Sequence, residues 1–116
     1  MLTVYGIPSC GTVRKARAWL SDAGLPFTDV DLRSTPPDRA RVEAWAAVFG
    51  ARALRNTSGG SYRALPADRD DWSDAAWIDA FARDPMLIKR PVIERDGQPV
   101  LVGFNLPEGE IRRRLG

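Results

Sequence analysis

The chain contains no histidine, a single cysteine and no long apolar run. Without imidazole, Ser-His-Asp triads, Cys-His dyads and His-ligated zinc sites cannot form within it. One thiol and no Asp/Glu loop of calcium-binding spacing leave no expected metal site. A lone cysteine cannot close an internal disulfide, which fits a reducing compartment rather than a disulfide-stapled secreted domain. No stretch approaches the roughly 18–20 apolar residues of a membrane span. Met1-Leu2-Thr3-Val4-Tyr5 enters a strand pattern without the basic and apolar regions of a signal peptide. The expected setting is the cytoplasm, with no membrane partner.

Charge is nearly balanced, with 17 Lys and Arg against 15 Asp and Glu for a net +2. The cations are dispersed, so direct nucleic-acid binding is not indicated. Arg112-Arg113-Arg114 closes a predicted helix, where cations complement the macrodipole. With 116 residues, 44% of them apolar and 28% charged, residues 1–116 read as a single domain around one core.

Leu2–Tyr5 reads as a short buried strand that ends at the turn Gly6-Ile7-Pro8. Val13, Ala16, Leu20 and Ala23 then recur at helical spacing, with Trp19 alongside and Gly24 as the stop. Pro26–Val30 supplies a second strand, and the resulting β-α-β unit implies a right-handed crossover and a parallel pair. Thr35-Pro36-Pro37-Asp38 opens a helix whose stripe is Val42, Trp45, Ala46 and Phe49, stopped by Gly50. Leu54–Leu65 lacks periodicity and reads as a loop; its glycines are not followed by the Gly-Lys-Ser/Thr of a nucleotide cradle. Asp74–Arg83 suggests a further helix ended by Asp84-Pro85, with Trp72 and Trp77 as packing residues. Two β-rich runs flank Arg95-Asp96-Gly97-Gln98, a hairpin signal, and a last helix runs from about Pro107 through Leu115. The order implies an α/β layer with a mixed four-stranded sheet and helices inserted between its second and third strands.

The one thiol, Cys10, falls at the junction of the first strand and first helix. Backbone N–H groups of Gly11, Thr12 and Val13 would gather there, and helix N-termini and nearby cations favour a thiolate. Thr12 either caps the helix or donates to the sulfur, and Lys15, with Arg14, either adds to the field or lies on a solvated face. Ser9 and Gly11 as neighbours argue against an inert cysteine inside an apolar run.

Tyr5-Gly6-Ile7-Pro8-Ser9-Cys10-Gly11-Thr12-Val13-Arg14-Lys15-Ala16, Leu54-Arg55-Asn56-Thr57, Leu87-Ile88-Lys89-Arg90-Pro91-Val92 and Leu101-Val102-Gly103-Phe104 together resemble the arsenate reductase and Spx family nearly end to end. The resemblance implies a thioredoxin-like core, a cis bond before Pro91 facing the cysteine, and Cys10 as nucleophile. The Cys-x-x-Cys of Spx-type redox regulators is broken here by Val13. The glutaredoxin-coupled arsenate reductases hold their oxyanion with three arginines. Arg90 matches one, whereas Asn56 and Gly103 stand where the others align.

Because arsenate needs several converging guanidinium donors, the pattern is closer to members thought of as glutathione-dependent thiol reductases. In such a cycle Cys10 attacks an oxidised small-molecule or protein thiol, and an external donor, glutathione or a glutaredoxin-type thiol, resolves the adduct. No bound cofactor is implied; glutathione is a cosubstrate whose carboxylates would meet Lys89 and Arg90, with Pro91 presenting backbone to it. Arsenate reduction and an Spx-like role bound to RNA polymerase are the alternatives.

Overall fold

The computed structural model describes residues 1–116. The chain falls into two compact units, Met1–Leu32 with Arg90–Gly116, and Arg33–Lys89. The first unit holds a four-stranded sheet built from β1 (Leu2–Gly6), β2 (Phe27–Asp31), β3 (Val92–Arg95) and β4 (Gln98–Val102), with helices α1 (Gly11–Asp22) and α5 (Glu108–Leu115). The second holds α2 (Arg39–Phe49), the single turn α3 (Gly60–Arg63) and α4 (Asp74–Arg83), with short 3₁₀ turns at Arg69–Asp71 and Pro85–Leu87. The expected thioredoxin-like element order is therefore observed: β-α-β, inserted helices, β-β, α. No helix is long and apolar enough to cross a membrane.

The strands lie in the order β2-β1-β3-β4, with β1 parallel to β2 and antiparallel to β3. Period-two alternation puts Leu2 and Val4 of β1, Ile93 of β3 and Leu101 of β4 into one core, where Ala16 and Leu20 of α1 and Ile111 and Leu115 of α5 also pack. Leu20 and Leu115 are fully buried, and each such side chain contributes about 1.5–3 kcal/mol of hydrophobic stabilisation. Tyr5 and Glu94 belong to the alternate residues of their strands and are joined by a buried 3.2 Å hydrogen bond from the Tyr5 hydroxyl.

The β3-β4 hairpin closes through Asp96 and Gly97, whose φ values of 50° and 84° are the left-handed pair that a two-residue turn requires. Pro99 lies next to the register shift between Ile93 and Glu94, where a residue without an N–H is tolerated on an edge strand. The second strand runs Phe27–Asp31 rather than Pro26–Val30, because Pro26 has no N–H to give the ladder.

In the second unit the expected helix boundaries hold closely. The Asp38 carboxylate accepts from the Arg41 N–H at 2.8 Å and caps α2, and the Ser73 hydroxyl accepts from Ala76 N–H at 3.2 Å and caps α4. Trp45 and Trp77 are fully buried. The reading of Leu54–Leu65 as wholly irregular is corrected by α3 at Gly60–Arg63. One turn is too short to show a hydrophobic period, and Gly59 precedes it without a side-chain cap.

Candidate active site

The turn after β1 brings the thiol to a helix start. The Cys10 N–H donates to the Ile7 carbonyl at 3.1 Å, and the Cys10 carbonyl accepts the first helical bond from Arg14 N–H at 3.0 Å. Cys10 is therefore the N-cap of α1, with extended backbone at φ −79°, ψ 123°. Thr12 is not the cap, as one reading of the sequence had it; it lies inside the first turn with an exposed side chain.

Cys10 is half-buried. Its partial burial pushes the thiol up, but the backbone N–H groups of Val13 and Thr12, then the hydrogen bond and charge of the Arg90 guanidinium, outweigh this and bring it below the ordinary cysteine range. No cap hydrogen bond is closed onto the sulfur; the same amides favour the anion, which is the stronger acceptor. Arg90 is the cation that acts on this equilibrium. Arg14 and Lys15 sit on exposed positions of α1.

The Arg90–Pro91 peptide bond is cis, as the resemblance implied. Pro91 is buried, and its carbonyl accepts from Gly103 N–H at 2.8 Å, which ties the segment before β3 to the end of β4. Gly103 has φ 74°, a conformation that side-chain-bearing residues adopt at a cost.

Asn56 and Lys89 lie in the other unit, on a short ladder of their own. Asn56 N–H donates to Leu87 carbonyl at 2.8 Å, Lys89 N–H donates to Leu54 carbonyl at 2.7 Å, and Arg55 bridges Ile88 between them. The Asn56 side chain donates to the Met86 carbonyl at 3.2 Å and its oxygen accepts from the Ser58 hydroxyl at 3.0 Å and the Ser58 N–H at 3.4 Å, so both ends are taken up by neighbouring groups. Of the residues singled out from sequence, Cys10, the Thr12 amide and Arg90 act on one sulfur, with Pro91 next in the chain to Arg90.

A feature with no signal in the sequence lies on the β2 side of the turn after β1. A cavity of about 210 Å³ is bordered by the turn residues Gly6, Ile7 and Pro8, by Val13 and Arg17 of α1, and by β2. Gly6 makes this packing work, since a Cβ there would meet a Val13 methyl at 2.6 Å. Asp29 pairs with Arg17 at 3.2 Å, a contact set by the parallel β1-β2 register.

Comparison with known proteins places these features in a family context. The ArsC family pattern matches residues 5–112. The global transcriptional regulator Spx of Enterococcus faecalis is 33% identical over 99% of this chain and 86% of its own length. Among solved structures, the YFFB protein superposes with a TM-score of 0.88 at 32% identity, covering 100% of both chains. A "possible arsenate reductase" from Streptococcus mutans gives a TM-score of 0.83 at 33% identity, covering 97% of this chain and 98% of the other.

Proposed function

The chain belongs to the ArsC family, and within it we propose that this protein is a thiol reductase that uses Cys10 alone and an external thiol such as glutathione. The observation that carries the reading is the placement of the only cysteine at the start of α1, where Val13 and Thr12 amides and Arg90 favour its thiolate. With no second thiol in the chain, the resolving sulfur has to come from outside.

The cycle balances in two exchanges. The Cys10 thiolate attacks the glutathione sulfur of a mixed disulfide; the Cys10–glutathione bond forms, the substrate–glutathione bond breaks, and the substrate leaves as a thiolate that takes a proton from water. A second glutathione thiolate attacks the adduct, glutathione disulfide leaves, and the Cys10 thiolate returns. The substrate sulfur is reduced to a thiol and one added glutathione is oxidised, leaving as glutathione disulfide together with the glutathione displaced from the substrate. Arg90 stabilises Cys10 both as attacking and as leaving sulfur, and a reducing compartment such as the cytoplasm supplies the donor.

Arsenate is the weaker substrate class. Only Arg90 stands for the three expected arginines, the Asn56 side chain is committed to Met86 and Ser58, and Gly103 offers no donor beyond a backbone N–H already given to Pro91. The relationship to a transcriptional regulator across nearly the whole chain supports a second reading, a binding role toward RNA polymerase. Val13, buried where a second redox cysteine would stand, removes the internal disulfide from that reading.

The test is glutathione-dependent turnover of a small mixed disulfide, with mass spectrometry of the trapped intermediate. The expected result is a glutathione adduct on Cys10 that a second glutathione discharges, with neither seen in Cys10→Ser. Unmodified Cys10 under turnover conditions, with RNA polymerase captured on the Cys10→Ser protein, would favour the regulator.

A further inference from the structure

We infer that Gly103 is a positioning residue for Arg90, acting through the hydrogen bond that its backbone N–H gives to the Pro91 carbonyl. This role deepens the thiol reductase reading, on which it rests for the use made of the thiolate, by naming what holds the cation in place.

The β3-β4 register makes this bond one more rung of the hairpin. Val92 lies opposite Val102, so Pro91 falls opposite Gly103, and the Gly103 N–H donates across at 2.8 Å. Proline has no N–H to return. The one hydrogen bond of this rung therefore lies a single residue from Arg90, whose guanidinium hydrogen-bonds to the Cys10 sulfur. Such a bond depends on direction as well as distance, so a displaced Pro91 backbone is felt at the thiolate.

Gly103 also redirects the chain. Side chains of a strand alternate between faces, which would set Phe104 on the face opposite Leu101. Both instead pack into the same core. The φ of 74° at Gly103 breaks the alternation, and the buried Phe104 meets Trp19 of α1 edge-on at 6.2 Å. α1 is the helix that begins at Cys10. The rung to Pro91 and the anchor at Phe104 are thus reconciled by a backbone that glycine adopts freely and most other residues adopt at a cost. A residue that drives φ negative at this position gives up one or the other, and loss of the rung releases the segment that carries Arg90.

The test is the pH profile of Cys10 alkylation by iodoacetamide in Gly103→Ala, Gly103→Val and Gly103→Asn, each made in the native chain and in Arg90→Ala, with urea unfolding to establish that each is folded. Alanine and the β-branched valine disfavour a positive φ in increasing degree, whereas asparagine visits it. Gly103→Val is expected to move the profile upward and slow alkylation at neutral pH by about two- to fivefold, short of the effect of Arg90→Ala. Gly103→Ala should shift it less, and Gly103→Asn least. In the Arg90→Ala chain none of the three should move it further. The alanine protein carries the test if the valine protein does not fold. Native profiles in both Gly103→Ala and Gly103→Val, or equal shifts with and without Arg90, would overturn the positioning role, since a merely structural defect lowers stability without passing through the guanidinium. Alkylation needs no glutathione, so the expected shifts in a protein that never forms a glutathione adduct would support the positioning role and overturn only the reductase reading.

Discussion

The Arg90 guanidinium, far from Cys10 in the chain, hydrogen-bonds to its sulfur and favours the thiolate. The sheet makes this possible. Cys10 follows β1 and Arg90 precedes β3, and the two strands pair antiparallel with Tyr5 opposite Val92. The end of one strand and the start of the other thus meet at the same end of the two central strands, with the α1 amides completing the environment of the sulfur. Partial burial works against the charge, so the net direction depends on the amides and the guanidinium acting together.

The link between thiolate and fold predicts a pH-dependent stability difference. The Cys10 thiol is held below the ordinary range in the native state, while an unfolded thiol titrates near about 8.5. Between these values the unfolded chain binds more protons, so stability rises with pH. The urea midpoint of the native chain relative to Cys10→Ser should climb from acid pH through the native ionisation and level off above about pH 8.5. A difference that stays flat, or falls, across this window contradicts the thiolate.

Gly6 is a packing device under the turn that leads to Cys10. A Cβ at Gly6 would lie 2.6 Å and 2.9 Å from the two Val13 methyl groups, and overpacking of this kind costs about 1–3 kcal/mol. Gly6→Ala should lower stability by that amount, measured by urea unfolding. Adding Val13→Ala should recover part of the loss, a coupling that independent sites would not show.

Gly103 marks the barrier to converting this chain into an arsenate reductase by restoring arginine. At φ 74° a side-chain-bearing residue costs about 1–2 kcal/mol, and Gly103 N–H also anchors the Pro91 carbonyl. Gly103→Arg should destabilise the protein by about that amount and confer no arsenate-dependent oxidation of glutathione. Arsenate turnover gained by this single change would show that the Gly103 backbone is no obstacle.

Much of this fold was readable because local signals and burial agreed. Asp96-Gly97 marked the hairpin, Asp38 opened α2, and Asp84-Pro85 ended α4. The single turn α3 escaped because Gly60–Arg63 contains no apolar repeat and buries no residue. The site divides in the same way. Cys10 was legible from its junction, but Arg90 and Pro91 joined it only through family resemblance, since no local pattern specifies how β1 pairs with β3. The Asn56 and Lys89 backbones are paired through Leu54–Asn56 and Leu87–Lys89, a ladder too short to announce itself. The cavity was invisible because Arg17 and Asp29 meet only once the parallel β1-β2 register is set.

The most direct measurement is the rate of Cys10 alkylation by iodoacetamide as a function of pH, in the native chain and in Arg90→Ala. The native profile should rise at a pH below that of an ordinary thiol, and Arg90→Ala should move it upward and slow alkylation at neutral pH by about three- to tenfold, an effect moderated by partial solvent exposure. Superimposable profiles for the two proteins, or a native profile matching free cysteine, would contradict a sulfur held as an anion by the α1 amides and Arg90.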